Sequence, residues 1–103
     1  MAALRGHRYG QGSKVKRITI RVHGRVQRVF FRRSAQFHSL TLGLTGLARN
    51  EEDGSVTIVA EGEQEKLEHL LEWCKKGPPL ANVTGVVTEW QAATEEFKRF
   101  KIQ

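Results

Sequence analysis

Apolar and polar side chains alternate along several short stretches of this chain, as expected of β-strands that bury one face. In the clearest stretch, isoleucine and valine alternate with arginine and threonine. Two further stretches are also typical of strands: a run rich in β-branched residues at 83–88, and residues 44–49, which precede a predicted turn. Five strands are therefore predicted, at residues 17–22, 44–49, 56–60, 83–88 and 97–102. Gly24 is expected to end the first strand, and Asp53-Gly54 marks a hairpin turn between the second and the third.

Two segments between these strands have the spacing of amphipathic helices. The second is expected to open at Gly62 and to stop at Gly77-Pro78-Pro79, with one core stripe at i, i+3, i+4 and i+7: Leu67, Leu70, Leu71 and Cys74. The first segment runs to about Leu42 and carries two apolar stripes. One consists of Phe31, Ala35 and Leu42, and the other of Phe30, Phe37 and Leu40. The pattern leaves open which of the two stripes is buried.

The elements follow one another as β-α-β-β-α-β, with one more short strand at the C-terminal end. This order predicts an α+β fold in which two helices pack on one face of an antiparallel sheet. A chain of 103 residues has room for one domain and one core of modest size. We place that domain at residues 15–103, after a basic tail at residues 1–14 that is expected to be flexible.

Charge is distributed unevenly along the chain. There are 17 Lys and Arg residues against 11 Asp and Glu residues, which gives a formal net charge of +6. Ten of the 17 basic residues and none of the acidic ones lie in the first 33 positions, so the excess positive charge arises there. Such a block suits nucleic acid, an acidic membrane surface or a phosphorylated small molecule, or it is simply a solvated tail and strand face.

The single cysteine, Cys74, cannot form an internal disulfide, which fits a reducing compartment. One cysteine is also too few for a cysteine-based zinc site. No stretch is apolar for long enough to span a membrane, and the first residues lack the apolar core of a secretory signal. We therefore expect a cytoplasmic protein without a metal or other cofactor.

The segment from Gly24 to Val29 lies between a predicted strand and a predicted helix. Amide groups at a helix N-terminus are unpaired, and the helix dipole there favours an anion. Arg32, in the first turn, can hold two oxygens of one phosphate group. The residues alone leave two interpretations open, a phosphate-binding loop or an ordinary tight turn with surface arginines.

Residues 24–32, Gly-Arg-Val-Gln-Arg-Val-Phe-Phe-Arg, resemble the acylphosphatase signature G-x-V-Q-G-V-x-F-R. A second signature of that family begins G-aromatic-small-basic-N and continues with a spaced glycine, valine and glycine. It is similar to Gly46-Leu47-Ala48-Arg49-Asn50 with Gly54, Val56 and Gly62. The two motifs occur in the right order with a helix between them, and the resemblance covers residues 15–103. It implies a ferredoxin-like βαββαβ sandwich, which the element order also indicates.

The resemblance implies a metal-independent hydrolase that cleaves the carboxyl–phosphate mixed anhydride of acyl phosphates, by in-line attack of water. The family's phosphate-holding arginine falls on Arg32, and its water-orienting asparagine falls on Asn50. The loop that would cradle the phosphoryl oxygens consists of Gly24, Arg25, Val26, Gln27, Arg28 and Val29. Because a carboxylate is a good leaving group, positioning and charge stabilisation can supply most of the rate.

Two positions depart from the signatures. Leu47 replaces an aromatic residue but keeps the apolar character. Arg28 replaces a glycine within the loop itself. If the backbone there has a positive φ, a non-glycine residue costs roughly 1–2 kcal/mol, and the guanidinium either obstructs the site or adds an attractive charge. The alternative function is therefore a phosphate- or acyl-phosphate-binding domain of the same fold whose turnover is impaired or retuned by Arg28.

RNA-recognition modules share this element order and are a competing interpretation from another functional class. They carry stacking aromatic residues on their first and third strands, whereas residues 17–22 and 55–60 contain none. The resemblance to acylphosphatases implies a small-molecule acyl phosphate and the product inorganic phosphate as partners, and we expect a monomer. No specific nucleic acid and no membrane are expected as partners.

Overall fold

The computed structural model describes residues 15–103. The predicted tail, residues 1–14, lies outside the described residues. Within these described residues, five strands and two helices follow one another in the predicted order. They are β1 (Val15–Arg25), α1 (Phe31–Thr41), β2 (Thr45–Asn50), β3 (Val56–Glu63), α2 (Gln64–Cys74), β4 (Asn82–Ala92) and β5 (Phe100–Ile102).

The five strands form one sheet in the order β4-β1-β3-β2-β5. β1 pairs antiparallel with β3 and with β4, and β2 pairs antiparallel with β3, which confirms the predicted antiparallel sheet. β5 adds to the edge at β2 in parallel orientation, so the complete sheet is mixed. Neither helix in residues 15–103 has the length and apolar character needed to cross a membrane.

The core lies between the sheet and the two helices. Alternate residues of β1 and β3 are fully buried there: Ile18, Ile20, Val22, Val56, Ile58 and Ala60. From α2, Leu67, Leu70 and Cys74 are fully buried as predicted, whereas Leu71 is only partly buried against the same core. Burial of these alternate and helically spaced apolar positions accounts for the fold.

The structure settles which face of α1 is buried. Phe31 and Ala35 enter the core together with Ser39, and Leu42 packs partly buried beside them. The small side chains at positions 35 and 39 let the helix lie close to the sheet. The second apolar stripe stays exposed and consists of Phe30, Phe37 and Leu40.

Two predicted element boundaries at glycines are wrong. Gly24 does not end β1, because the strand continues past an irregularity between His23 and Gly24 and pairs with β4 as far as Arg25. A Cβ at Gly24 would lie 2.2 Å from the carbonyl oxygen of Asn82, so the bulge requires glycine. Gly62 does not open α2, because it remains in β3 and the helix begins at Gln64.

Strand lengths at the C-terminal end also differ from the prediction. β4 is longer than expected and β5 is shorter, because residues 93–99 form a crossover between them. β4 and β5 lie at opposite edges of the sheet, so this crossover must traverse the sheet. It contacts Arg17 and Glu61, whose side chains alternate with those of the core residues Ile18 and Ala60. The crossover therefore runs over the face opposite the helices.

The carboxylate of Glu61 anchors this crossover and is only 4% exposed. It accepts hydrogen bonds from the amide of Thr94 at 2.9 Å, the hydroxyl of Thr94 at 3.0 Å and the amide of Glu95 at 2.7 Å. Nε of Arg17 lies 2.8 Å from the same carboxylate. Burial acts to raise the pKa of Glu61, but these hydrogen bonds outweigh it, so the pKa lies below the usual 4.5.

Candidate active site

A loop of five residues, Val26 to Phe30, connects β1 to α1. Val26 and Val29 are buried and fix the loop to the core, while Arg28 and Phe30 are exposed. The backbone has φ of 64° at both Arg28 and Phe30, in the left-handed region. Phe30 precedes α1 and provides no side-chain cap, so the amides of the first helical turn remain available to an anion.

Gln27 ties this loop to the hairpin between β2 and β3. Its Nε2 donates to the carbonyl oxygen of Glu51 at 2.8 Å and to that of Ser55 at 2.9 Å. The amide of Glu51 in turn donates to the carbonyl of Ser55 at 2.9 Å, which closes the turn. Because Asn50 comes directly before this turn, the two bonds of Gln27 set the position of the loop relative to Asn50.

Arg32 projects from the first turn of α1 and is held by the strand at the sheet edge. Its Nη1 donates to the backbone oxygen of Gln103 at 2.6 Å. One helical turn later, Nε2 of Gln36 donates to the carbonyl oxygen of Phe100 at 2.9 Å. The two side chains thus attach α1 to β5 and its flanking residue, which orients the guanidinium of Arg32.

Asn50 is the last residue of β2 and is half-buried. It is in register with Val56 and lies two residues beyond the buried Ala48, so it shares the helix-facing side of the sheet. This register brings Asn50 to the same cleft as Arg32, although 17 residues separate them in the sequence. The two residues that carry the two sequence motifs therefore meet at one place.

The cleft has a volume of about 440 Å³. Its lining consists of Val26, Arg28, Phe30, Phe31, Arg32, Arg33, Asn50 and Ile102. Within the part of the chain that the structure describes, this lining holds three arginines and no carboxylate. Together with the N-terminus of α1, these charges make the cleft suitable for an anion such as a phosphoryl group.

The predicted loop residues divide between the cleft and its supports. Val26 and Arg28 line the cleft, but Gly24 and Arg25 belong to β1 and pair with Val83 and Asn82 of β4. The predicted start of the loop at Gly24 is therefore wrong, because the bulge after His23 keeps the strand paired. Gln27 and Val29 lie outside the cleft lining formed by residues 15–103. Gln27 fixes the loop to the hairpin through its two hydrogen bonds, and Val29 fixes it to the core.

Four cleft residues were not predicted as site residues from the sequence. Phe30, Phe31 and Arg33 lie close to Arg32 in the chain, Phe31 having been expected only in the core, and Ile102 reaches the cleft from β5. For Phe30, the only indication in the sequence was its place on the second apolar stripe of the helical segment. The core does not bury that stripe. Ile102 had no local signal, because its position depends on the parallel pairing of β5 with β2.

Other reactive side chains lie outside this cleft. Cys74 is fully buried in the core, and burial raises the pKa of its thiol well above the usual value, so it is unsuited to act as a nucleophile. Among residues 15–103, no group of three or more His, Cys, Asp or Glu side chains is arranged to hold a metal ion. The chemistry of the cleft is therefore that of arginine, backbone amides and the Asn50 amide.

Comparison with known proteins agrees with this arrangement. The family model for Acylphosphatase matches residues 18–102. The acylphosphatase of Methylococcus capsulatus is 49% identical over 88 residues, which cover 85% of this chain and 96% of that protein. The acylphosphatase of Pelotomaculum thermopropionicum is 49% identical over 81 residues, covering 79% of this chain and 88% of that protein.

Solved structures give the same result. An acylphosphatase from Bacillus subtilis matches with a TM-score of 0.82 at 35% identity, covering 85% of this chain and 98% of that one. An acylphosphatase from Coxiella burnetii matches with a TM-score of 0.83, also at 35% identity, covering 90% of this chain and 97% of that one. By its sequence and by its fold, this chain belongs to the acylphosphatase family.

Proposed function

We propose that this chain hydrolyses acyl phosphates to a carboxylate and inorganic phosphate in the cleft between the loop at residues 26–30 and the end of β2. The observation that carries the proposal is the convergence of Arg32 and Asn50 on one cleft at the N-terminus of α1. Hydrolysis of acyl phosphates is the activity of the family to which the chain belongs.

In this proposal the phosphoryl group binds at the N-terminus of α1. The amides of the loop and of the first helical turn donate to its oxygens, and Arg32 adds charge-assisted bonds. The contact of Arg32 with the Gln103 oxygen keeps the guanidinium aimed at the cleft before substrate arrives. A preorganised donor of this kind lowers the barrier because it does not have to reorient during the reaction.

Asn50 is assigned to the attacking water. Its amide oxygen accepts a hydrogen bond from the water, and a neutral amide does not repel the phosphate dianion. The water oxygen forms a bond to phosphorus while the bond from phosphorus to the acyl oxygen breaks, and the carboxylate leaves with that electron pair. A proton of the water passes to a phosphate oxygen, so the step needs no separate base with a pKa near neutrality.

The alternative, a phosphate- or acyl-phosphate-binding domain whose turnover is impaired or retuned, rested on Arg28 alone. Its left-handed backbone shows that the position has the geometry that suits glycine. Arg28 nevertheless adopts that geometry, Gln27 ties the loop to the hairpin, and Arg32 and Asn50 both line the cleft. These observations favour an acyl phosphate hydrolase with an altered loop over a binding domain with impaired or retuned turnover.

We also propose that the chain acts as a cytoplasmic monomer on a small molecule rather than on nucleic acid. The open face of β1 and β3 carries no phenylalanine, tyrosine or tryptophan that could stack on bases, and the crossover at residues 93–99 runs over part of it. Both observations argue against an RNA platform of the common type. Sedimentation analysis and a titration with single-stranded RNA test these two points.

The proposed roles are tested by the kinetics of benzoyl phosphate hydrolysis. Arg32→Ala is expected to weaken inhibition by inorganic phosphate and to lower kcat/KM together, by about 10- to 100-fold. Asn50→Ala is expected to lower kcat by about 100-fold and to leave phosphate inhibition nearly unchanged. Arg49→Ala is the control, since Arg49 pairs with Glu51 on the opposite side of the strand. An equal effect of all three variants would contradict these roles.

A further inference from the structure

Phe30 is a large aromatic side chain that does not contribute to the core. Its side chain is 69% exposed, whereas the adjacent Phe31 is fully buried and packs at 5.1 Å from the ring of Trp73. The backbone of Phe30 has φ of 64°, a conformation that disfavours non-glycine residues. An exposed aromatic residue in a strained conformation stabilises neither the core nor the helix start.

The position of Phe30 shows where an apolar group would be recognised. Phe30 lines the cleft together with Ile102, which is 37% exposed and comes from β5. The cleft therefore has a cationic part, around Arg32 and the helix N-terminus, and an apolar part formed by these two side chains. A volume of about 440 Å³ exceeds what a phosphoryl group fills and lies in the range of small-molecule sites.

The chemistry of the substrate matches this division. An acyl phosphate has a dianionic end and an acyl end, and binding of the dianion in the cationic part leaves the acyl group to the rest of the cleft. We infer that Phe30 and Ile102 form the acyl-group subsite, and that Phe30 makes the enzyme select aromatic or other apolar acyl groups over small ones. This inference rests on the proposed function of the cleft.

The test compares kcat/KM for benzoyl phosphate with kcat/KM for acetyl phosphate. Phe30→Ala is expected to lower the benzoyl-to-acetyl ratio about five- to tenfold, because an aromatic pair is lost with benzoyl and little is lost with acetyl. Inhibition by inorganic phosphate, which has no acyl group, is expected to change less than twofold. Ile102→Ala is a second variant, which shortens the other apolar side chain of the subsite, and it is expected to lower the ratio about two- to threefold.

Phe37→Ala is the matched control. Phe37 is 67% exposed on α1, the helix that Phe30 precedes, and lies outside the cleft lining formed by residues 15–103. It is expected to leave the ratio unchanged. A ratio that stays at the wild-type value in both Phe30→Ala and Ile102→Ala, with both substrates still hydrolysed, would overturn the inference alone. A wild-type protein that hydrolyses neither substrate would instead overturn the proposed function.

Discussion

Replacing Arg28 with glycine tests whether the loop stores backbone strain. Arg28 has φ of 64° at the position where the family signature has glycine. The left-handed conformation costs a non-glycine residue roughly 1–2 kcal/mol, and the greater freedom of glycine in the unfolded chain offsets about 0.4–1 kcal/mol of that. We therefore expect Arg28→Gly to raise the free energy of unfolding by about 0.5–1 kcal/mol, and Tm by about 2–8 °C for a domain of this size.

The same substitution also removes a guanidinium from the cleft. Because Arg28 is exposed, its attraction for the phosphate dianion is screened by water and is worth about 0.2–1 kcal/mol. Arg28→Gly is therefore expected to weaken inhibition by inorganic phosphate by no more than about fivefold, and more strongly at low salt. Stability and phosphate affinity are thus expected to change in opposite directions.

Two variants separate strain from charge. Arg28→Ala removes the guanidinium but keeps a Cβ, so it should weaken phosphate inhibition as much as Arg28→Gly without the gain in Tm. Glu95→Gly relaxes another left-handed residue, with φ of 60° in the crossover, and should raise Tm without affecting phosphate inhibition. Thermal unfolding followed by circular dichroism measures the first quantity, and the inhibition constant of phosphate measures the second. Equal Tm values for Arg28→Gly and Arg28→Ala would refute the strain argument.

Three further substitutions test other parts of the structure. Gln27→Ala removes two hydrogen bonds between loop and hairpin, so kcat and Tm should both fall; an unchanged kcat would separate loop placement from catalysis. Arg32→Lys should restore less than a tenth of the activity lost in Arg32→Ala, because a point charge cannot form a bidentate contact; full rescue would make Arg32 a generic cation. Glu61→Gln should lower Tm at neutral pH. Because the pKa of Glu61 is lowered in the folded state, its stabilisation is present above the usual 4.5 and lost as pH falls through the folded value. The Tm difference should therefore shrink in acid, and a difference independent of pH would contradict the ionised anchor.

Local periodicity was sufficient to predict the order of elements and most of the core. Ile18 and Ile20 belong to the apolar face of β1, and Leu67 belongs to that of α2. Each face consists of residues close in sequence, so their spacing alone predicts that they are buried. The boundary at Gly24 could not be predicted, because the strand continues there through an irregular pairing with β4, which is distant in the sequence. The crossover held by Glu61 was also missed, since a glutamate on a strand gives no sign of a buried partner more than 30 residues away.

The candidate site, too, could be predicted only in part from the sequence. The resemblance to the family's motifs predicted Arg32 and Asn50, and both line the cleft. The support for these residues depends on long-range contacts, such as the bond from Arg32 to the Gln103 oxygen. Ile102 enters the cleft only because β5 pairs in parallel with β2, and no local pattern predicts strand order at a sheet edge.

Hydrolysis of benzoyl phosphate in water enriched in oxygen-18, with a chelator present, shows which atom the water attacks and whether a metal ion takes part. If the water in the cleft attacks phosphorus, the product phosphate carries one labelled oxygen and the benzoate carries none. We expect this labelling pattern, at a rate that the chelator does not lower, and we expect Asn50→Ala to incorporate the label much more slowly. Label in benzoate would show attack at the carbonyl carbon, and loss of activity with the chelator that a divalent cation restores would show a metal-dependent reaction; either result would contradict the account.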